Sequence, residues 1–109
     1  MAQTAVKLTP TRDVAELTDA LCDALLTPRS REDMRRLLRD LCTPSELTAL
    51  AERWHVARLL DGTDLSYRQI HDGTGVSTTT IVRVGRFLRQ EGHRGYRGAI
   101  DALGDGNAC

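Results

Sequence analysis

Apolar residues recur at intervals of three and four along almost the whole chain, and short clusters of Gly, Pro, Ser and Thr separate these runs. This spacing places apolar side chains along one face of an α-helix, and it differs from the alternation that is typical of strands. In the first run the stripe consists of Val14, Leu17, Leu21 and Leu25. The pattern predicts six helices and no sheet, and therefore an all-α fold.

The length of the chain limits its organisation. With 109 residues it can build one small domain but not a second core. We expect a loose N-terminal arm at residues 1–11, one helical domain at residues 12–103 and a frayed tail at residues 104–109. MAQTAVKLTP has no apolar stretch of signal-peptide length, and no run approaches the roughly 18 apolar residues of a membrane span. The expected localisation is therefore cytoplasmic, with no membrane partner.

The segment TPSE, residues 43–46, predicts the start of the longest helix. Thr43 suits the N-cap, Pro44 suits the first helical position because its missing N–H is not needed there, and Glu46 completes a capping box. We expect this helix to be the spine of the domain and to end near Gly62, as a C-cap glycine. Its apolar face should consist of Leu47, Leu50, Ala51, Trp54, Ala57 and Leu60.

Residues 66–90 have the features of a helix-turn-helix. Ser66, with Gln69 three residues later, caps the first helix, and Ser77 caps the second. Gly75 tolerates the positive φ that a tight turn between steeply crossing helices requires. Four apolar side chains stand where the packed interface between two such helices would lie: Ile70, Val76, Ile81 and Val84.

The other face of the second helix is polar and basic. Its hydroxyl groups can contact base edges or phosphate, Val82 can meet a thymine methyl, and the arginines can reach guanine edges or phosphates. Side chains at the start of the first helix would contact the sugar-phosphate backbone. The predicted residues for binding double-stranded DNA are Tyr67, Arg68, Ser77, Thr78, Thr79, Thr80, Val82, Arg83 and Arg86. His71 stands where many such motifs carry alanine, so we expect it to point outward or to shift the first helix.

The distribution of charge favours a locally basic interface on a chain that is neutral as a whole. The whole chain has 15 basic and 15 acidic residues, whereas residues 66–97 contain six arginines and two acidic residues. Ser and Thr at a helix start also occur as caps alone, and arginines on one face also occur as solvated side chains. Some helix-turn-helix domains bind protein. The alternative function is therefore an adaptor that binds a protein of the transcription machinery.

The sequence predicts neither a catalytic site nor a metal site. No nucleophile has a base and an orienting third group in a recognisable arrangement. The three histidines and three cysteines lack zinc-ligand spacing, and the cysteine pattern fits a reducing compartment. EGHRGYRG lacks the GK[ST] ending of a phosphate-binding P-loop.

The span LCTPSELTALAERWHVARLLDGTDLSYRQIHDGTGVSTTTIVRV resembles the Trp repressor superfamily. With LTDALC and GHRGYRGAI, the resemblance covers about residues 13–103 and looks closer still to less characterised bacterial Trp repressor-like proteins. It implies a six-helix homodimer in which two chains intertwine their N-terminal helices. Two helix-turn-helix heads about 34 Å apart would then face successive major grooves of a palindromic operator. The implied function is transcriptional regulation, with repression expected.

The resemblance also implies an effector site. In the Trp repressor an indole ring lies between two arginines, which Arg53 and Arg83 match, and Thr43 matches a threonine of that site. Four other positions differ from that protein: Val84 replaces glycine, Phe87 replaces serine, and Asp40 and Cys42 replace leucines of the partner's wall. These side chains disfavour tryptophan, so the expectation is a different small, amino-acid-like effector or none. Arg53 could equally be a helix-surface arginine paired with an acid.

Overall fold

The computed structural model describes residues 6–104, and within this range it contains six α-helices and no strand. The helices are α1 (Val14–Leu25), α2 (Arg31–Leu41), α3 (Pro44–Gly62), α4 (Tyr67–Thr74), α5 (Thr78–Arg89) and α6 (Gly95–Leu103). The all-α prediction is confirmed. Residues 1–5 of the expected arm and 105–109 of the expected tail lie outside the described residues. None of the described helices is both long enough and apolar enough to cross a membrane.

Contacts within the chain divide it into two units, and the boundary along the chain lies between Thr43 and Pro44. The first unit contains α1 and α2, and the second contains α3 to α6. The expectation that residues 12–103 form one domain stays a prediction.

Helix α1 carries its predicted apolar stripe but buries none of it within one chain. Val14 is 62% exposed, Leu17 38% and Leu21 41%. An ion pair of 3.1 Å joins Lys7 Nζ to Glu16 Oε1, linking the preceding segment to the first turn. The helix therefore has an amphipathic surface whose apolar side is available to a partner.

Helix α2 begins at a serine cap. Ser30 Oγ accepts a hydrogen bond of 3.0 Å from the backbone N–H of Asp33, which satisfies one of the free donors of the first turn. The apolar side of α2 is only partly covered within the single chain. Met34, Leu37 and Leu38 are only half-buried, and Leu41 is exposed. The first unit is too small to enclose these side chains by itself.

Helix α3 begins at Pro44, but the prediction for its C-terminal end needs correction. Gly62 is the last helical residue and does not have the positive φ of a C-cap glycine. Thr63 completes the end, because its backbone N–H and its hydroxyl both donate to the Leu59 carbonyl, at 3.1 and 2.7 Å. Arg89 Nη2 donates to the Leu60 carbonyl at 3.1 Å. Side-chain donors thus satisfy the terminal carbonyls that a left-handed glycine cap would otherwise serve.

The buried face of α3 lies further along the helix than the sequence indicated. Val56, Ala57 and Leu60 are buried, because α5 and α6 pack on this C-terminal half. The predicted positions Leu50 and Ala51 are exposed within one chain. Leu47 and Trp54 are half-buried. The N-terminal half of α3 therefore keeps an uncovered apolar side.

The second unit has a continuous core built around the predicted helix pair. Its buried residues come from α3, α4, the turn and α5: Val56, Ala57, Leu60, Ile70, Val76, Ile81 and Val84. Tyr96 and Ile100 of α6 pack against this core. The four apolar positions predicted for the helix-turn-helix interface are all 4% exposed or less. That part of the sequence prediction is confirmed.

An ion-pair network fastens α6 to α3. Arg97 Nη2 lies 2.5 Å from Asp61 Oδ1, and Arg97 Nη1 lies 3.2 Å from Asp101 Oδ1. The hydrogen bond that Arg97 donates to Asp61, and then the one that it donates to Asp101, raise the pKa of Arg97, so the guanidinium stays charged. The network positions α6 alongside the helix-turn-helix.

Candidate nucleic-acid interface

Local hydrogen bonds fix both helices of the predicted helix-turn-helix. Ser66 and Gln69 form a complete capping box, in which the Gln69 N–H donates to Ser66 Oγ at 3.1 Å and the Ser66 N–H donates to Gln69 Oε1 at 2.8 Å. Gly75 takes a left-handed conformation with φ 79°. At the start of α5, Ser77 Oγ accepts from the Thr80 N–H at 3.2 Å. The caps and the glycine turn are therefore confirmed.

His71 has a role in the turn that the sequence did not indicate. Its Nδ1 lies 2.7 Å from the carbonyl oxygen of Val76, and because a carbonyl only accepts, Nδ1 is the donor. The bond spans the turn from α4 to the residue before the Ser77 cap. His71 is exposed, as one of the two expectations had it, and its ring also restrains the turn.

Tyr67 and Gly85 form a close contact between α4 and α5. A Cβ atom built on Gly85 would overlap the Tyr67 hydroxyl and would lie 3.1 Å from Tyr67 Cζ. Gly85 is buried, and Tyr67 is half-buried against the core. The Tyr67 phenol therefore lies against α5, and DNA contact by this side chain stays a prediction.

The face of α5 opposite the core is exposed. Ile81 and Val84 are 0% and 1% exposed, whereas Val82 is 56% exposed. The other exposed side chains of this surface are Ser77, Thr78, Thr79, Arg83 and Arg86. Thr80 differs from them because it is half-buried and its Oγ1 accepts from Ser77 Oγ at 3.0 Å. We call the exposed residues 77–79, 82, 83 and 86 the α5 surface.

Arg68 extends the basic character to α4. Its side chain is 91% exposed, and its Nε lies 3.9 Å from Asp72 Oδ2. A surface pair at this distance contributes little to stability, so the arginine can exchange Asp72 for another anion at small cost. Arg68 lies in the first turn of α4, where the prediction placed a backbone contact.

A cluster of aromatic and charged side chains supports the arginines of α5. The Cζ of Arg83 lies 4.3 Å from the centroid of the Phe87 ring, and that of Arg86 lies 5.1 Å from it. The Phe87 ring stacks on His93 with a centroid separation of 5.8 Å and an interplanar angle of 14°. Arg86 Nε and His93 Nε2 each lie 3.8 Å from a Glu91 oxygen. No local sequence pattern indicated this role of Phe87 and His93.

Comparison with known proteins decides the family. Residues 16–103 match the family model described as Trp repressor protein. The chain belongs to the Trp repressor family. The uncharacterized protein YerC of Bacillus subtilis (strain 168) is 40% identical to this family member over 85 residues, which is 78% of this chain and 80% of YerC.

A solved structure agrees with this assignment. The crystal structure of a candidate Trp repressor from Staphylococcus aureus superposes with a TM-score of 0.74 at 35% identity, covering 81% of this chain and 86% of that one. The resemblance predicted from the sequence is confirmed. Trp repressor family proteins are regulatory DNA-binding proteins rather than enzymes, so this member is not an enzyme.

Of the predicted effector residues of this Trp repressor family member, Arg83 borders a surface depression. The depression has a volume of about 280 Å³ and is lined by Arg83, Phe87, His93, Gly95 and Tyr96. Arg53, which is half-buried on α3, is not part of that lining. Among the described residues Arg53 makes no ion pair. They therefore offer no acidic partner for the alternative in which Arg53 is a paired helix-surface arginine.

Proposed function

We propose that this Trp repressor family protein is a sequence-specific DNA-binding transcriptional regulator, and that it represses by occluding a promoter as a homodimer. The observation that carries the proposal is the division of α5 into two sides. Ile81 and Val84 lock one side to the core, while hydroxyl groups, Val82 and two arginines occupy the exposed side. A recognition helix needs this arrangement to enter the major groove without losing its support.

Each part of the α5 surface suits a different DNA contact. Thr78 and Thr79 have short side chains that allow close approach to base edges, and Val82 can contact a thymine methyl. Arg83 can donate two hydrogen bonds to a guanine edge. The free N–H groups at the start of α5 attract phosphate. Ser77 and Thr80 belong to this N-terminal turn, and Arg86 and Arg68 suit phosphates on either side of the groove.

The apolar surfaces that one chain leaves uncovered support the proposed homodimer. No side chain of α1 or α2 is buried, although both helices have apolar sides. Covering such stripes with a second copy buries them by the same hydrophobic effect that forms a domain core. Two heads about 34 Å apart would then read half-sites one helical turn apart on a palindromic operator.

The proposed effector, where one acts, is a small amino-acid-like molecule other than tryptophan that binds near Thr43, Arg53 and Arg83. Phe87 supports the exclusion of tryptophan, because its ring already lies against the guanidinium of Arg83. An effector would have to bind the DNA-competent arrangement of the heads more tightly than the other. A thermal-shift screen with amino acids tests this, since a ligand of the folded state raises the Tm. No other cofactor is proposed.

Selection from a pool of random DNA duplexes tests the function directly. We expect enrichment of a palindrome, and binding to it should weaken about a thousandfold between about 50 and 200 mM salt if six phosphates are contacted. A duplex of the same composition with a scrambled sequence is the control. An adaptor that binds the transcription machinery would retain no duplex at any salt concentration, and that result would exclude the proposal. Since bacterial DNA lies in the cytoplasm, the proposal places the protein there.

A further inference from the structure

Arg83 and Phe87 are one turn apart on α5, and their side chains are in contact. The guanidinium carbon of Arg83 lies 4.3 Å from the Phe87 ring centroid, within the range of a cation–π interaction. Arg83 is exposed, and within residues 6–104 no carboxylate lies at ion-pair distance from it. In the free protein, the Phe87 ring is therefore the group that stabilises the positive charge of Arg83.

We infer that Phe87 is a specificity-determining positioning residue that holds Arg83 ready to read a base. The inference rests on the proposed DNA-binding function and deepens it. A ring stacked on a guanidinium contacts the flat face of the group, and the five N–H donors lie in the plane of that group. They remain free for the two acceptors of a guanine edge, whereas a carboxylate partner would occupy them.

Arg86 provides the contrast on the same helix. It also approaches the Phe87 ring, at 5.1 Å, but its Nε lies 3.8 Å from Glu91 Oε2. Glu91 therefore partly compensates the charge of Arg86. Arg86 is therefore suited to a phosphate, which attracts charge without demanding a fixed donor geometry. Of the two arginines, Arg83 is the one arranged for base recognition.

The Phe87 ring is itself held from the other direction. It stacks on His93 at 5.8 Å, and His93 Nε2 lies 3.8 Å from Glu91 Oε1. A residue between α5 and α6 thus contacts one part of the ring, and Arg83 contacts the ring as well. A side chain that is already ordered loses less conformational entropy when it binds. The expected gain is in discrimination between bases more than in general attraction to DNA.

Side-chain mobility in the free protein tests the positioning without any DNA. The measurement is ¹⁵N relaxation of the Arg83 Nε–H group in the parent and in two variants. Phe87→Leu removes the ring but keeps an apolar side chain, so the order parameter of Arg83 should fall. Phe87→Tyr keeps the ring and should retain the parent value. Equal Arg83 mobility in the parent and Phe87→Leu would overturn the inference and leave the proposed function standing.

Base discrimination tests the consequence. Arg83→Ala identifies the base pair at which the parent's sequence preference is lost. The selected duplex is then compared with a duplex that is altered at this base pair. Phe87→Leu should lose about threefold to tenfold of the discrimination at that base pair, whereas Phe87→Tyr should keep it. In the Arg83→Ala background, Phe87→Leu should cause no further loss, because the group it positions is absent. A purely structural role of Phe87 would weaken binding in both backgrounds.

The outcomes separate the two claims. Full discrimination by folded Phe87→Leu overturns the positioning role alone, whereas a parent protein that selects no duplex overturns the proposed function and this role with it. If Phe87→Leu melts below the assay temperature, Phe87→Met replaces it, because methionine is similarly long and apolar but has no ring. The same criteria then apply to that variant.

Discussion

The two units of the chain differ in where their apolar side chains go. In the second unit, seven apolar residues from α3, α4, the turn and α5 are buried together. In the first unit, α1 and α2 have equally regular apolar stripes, yet neither helix buries a residue within one chain. Two helices of 12 and 11 residues offer too little surface to enclose a core.

This difference indicates a division of roles. The second unit has a core of its own and can hold the α5 surface rigid. We expect the first unit to gain stability when another surface covers its stripes, and a second copy is the partner proposed here. Substitutions in each unit and on the α5 surface test this division.

A charge placed in the α1 stripe should have the largest effect on association. Leu21→Asp would put a carboxylate into the proposed dimer interface twice, once from each copy, and should cost about 3 kcal/mol or more of dimer stability. Sedimentation equilibrium and melting at two protein concentrations measure the effect. Ala15→Asp adds the same charge outside the stripe and should change stability by about 0.5 kcal/mol or less. Equal association of the two variants would refute the proposed role of α1.

A methyl group added at Gly85 should test how closely the second unit is packed. Gly85→Ala should destabilise the protein by about 1–3 kcal/mol, because the new Cβ overlaps the Tyr67 hydroxyl. Denaturation in urea measures this. Gly73→Ala is the matched control, since nothing lies within 4 Å of its added Cβ, and it should be neutral or stabilising.

The hydroxyl group itself can be tested in a double variant. Gly85→Ala should cost less in a Tyr67→Phe background, where the overlapping oxygen is absent. An identical cost in both backgrounds would show that the Tyr67 contact does not limit the approach of α4 to α5.

Removal of Arg83 should affect recognition rather than folding. Arg83→Ala should weaken binding to the selected duplex by about 1–3 kcal/mol and relax the preference at one base pair. Competition between the selected duplex and single-base variants measures both effects. Undiminished affinity and selectivity in this variant would show that the base contact has been assigned to the wrong residue.

Removal of Arg68 should have the smallest and least selective effect. Arg68→Ala should weaken binding evenly across sequences and reduce the slope of log affinity against log salt by about 1. Arg58→Ala removes the same charge from α3, away from the α5 surface, and should leave the slope unchanged. A sequence-dependent loss in Arg68→Ala would indicate base reading by α4 instead of a phosphate contact.

Features that depend on neighbours in sequence were predictable. The Ser66 and Ser77 caps and the left-handed Gly75 follow from hydrogen bonds and backbone sterics within a few residues. The apolar positions Ile70 and Ile81 follow from helical periodicity. These features were enough to identify the helix-turn-helix and the exposed side of α5, although DNA contact by any single residue stays a prediction.

Features that depend on distances through space were not predictable from local patterns. The buried face of α3 is decided by where α5 and α6 pack. The sequence therefore did not show that Leu50 and Ala51, which belong to the predicted apolar face, are exposed within one chain. Tyr67 looked like a surface residue because nothing in the sequence shows that its hydroxyl meets Gly85. The end of α3 depends on Thr63 and on Arg89, which is distant in sequence.

Periodicity and bonds between near neighbours set the helices, their caps, the glycine turn and the polar side of α5, so these features could be predicted from the residues alone. The tertiary structure alone decided which apolar faces are covered and which side chains support Arg83. Both depend on the approach of helices that are separated along the chain, and the spacing of residues does not encode that approach directly.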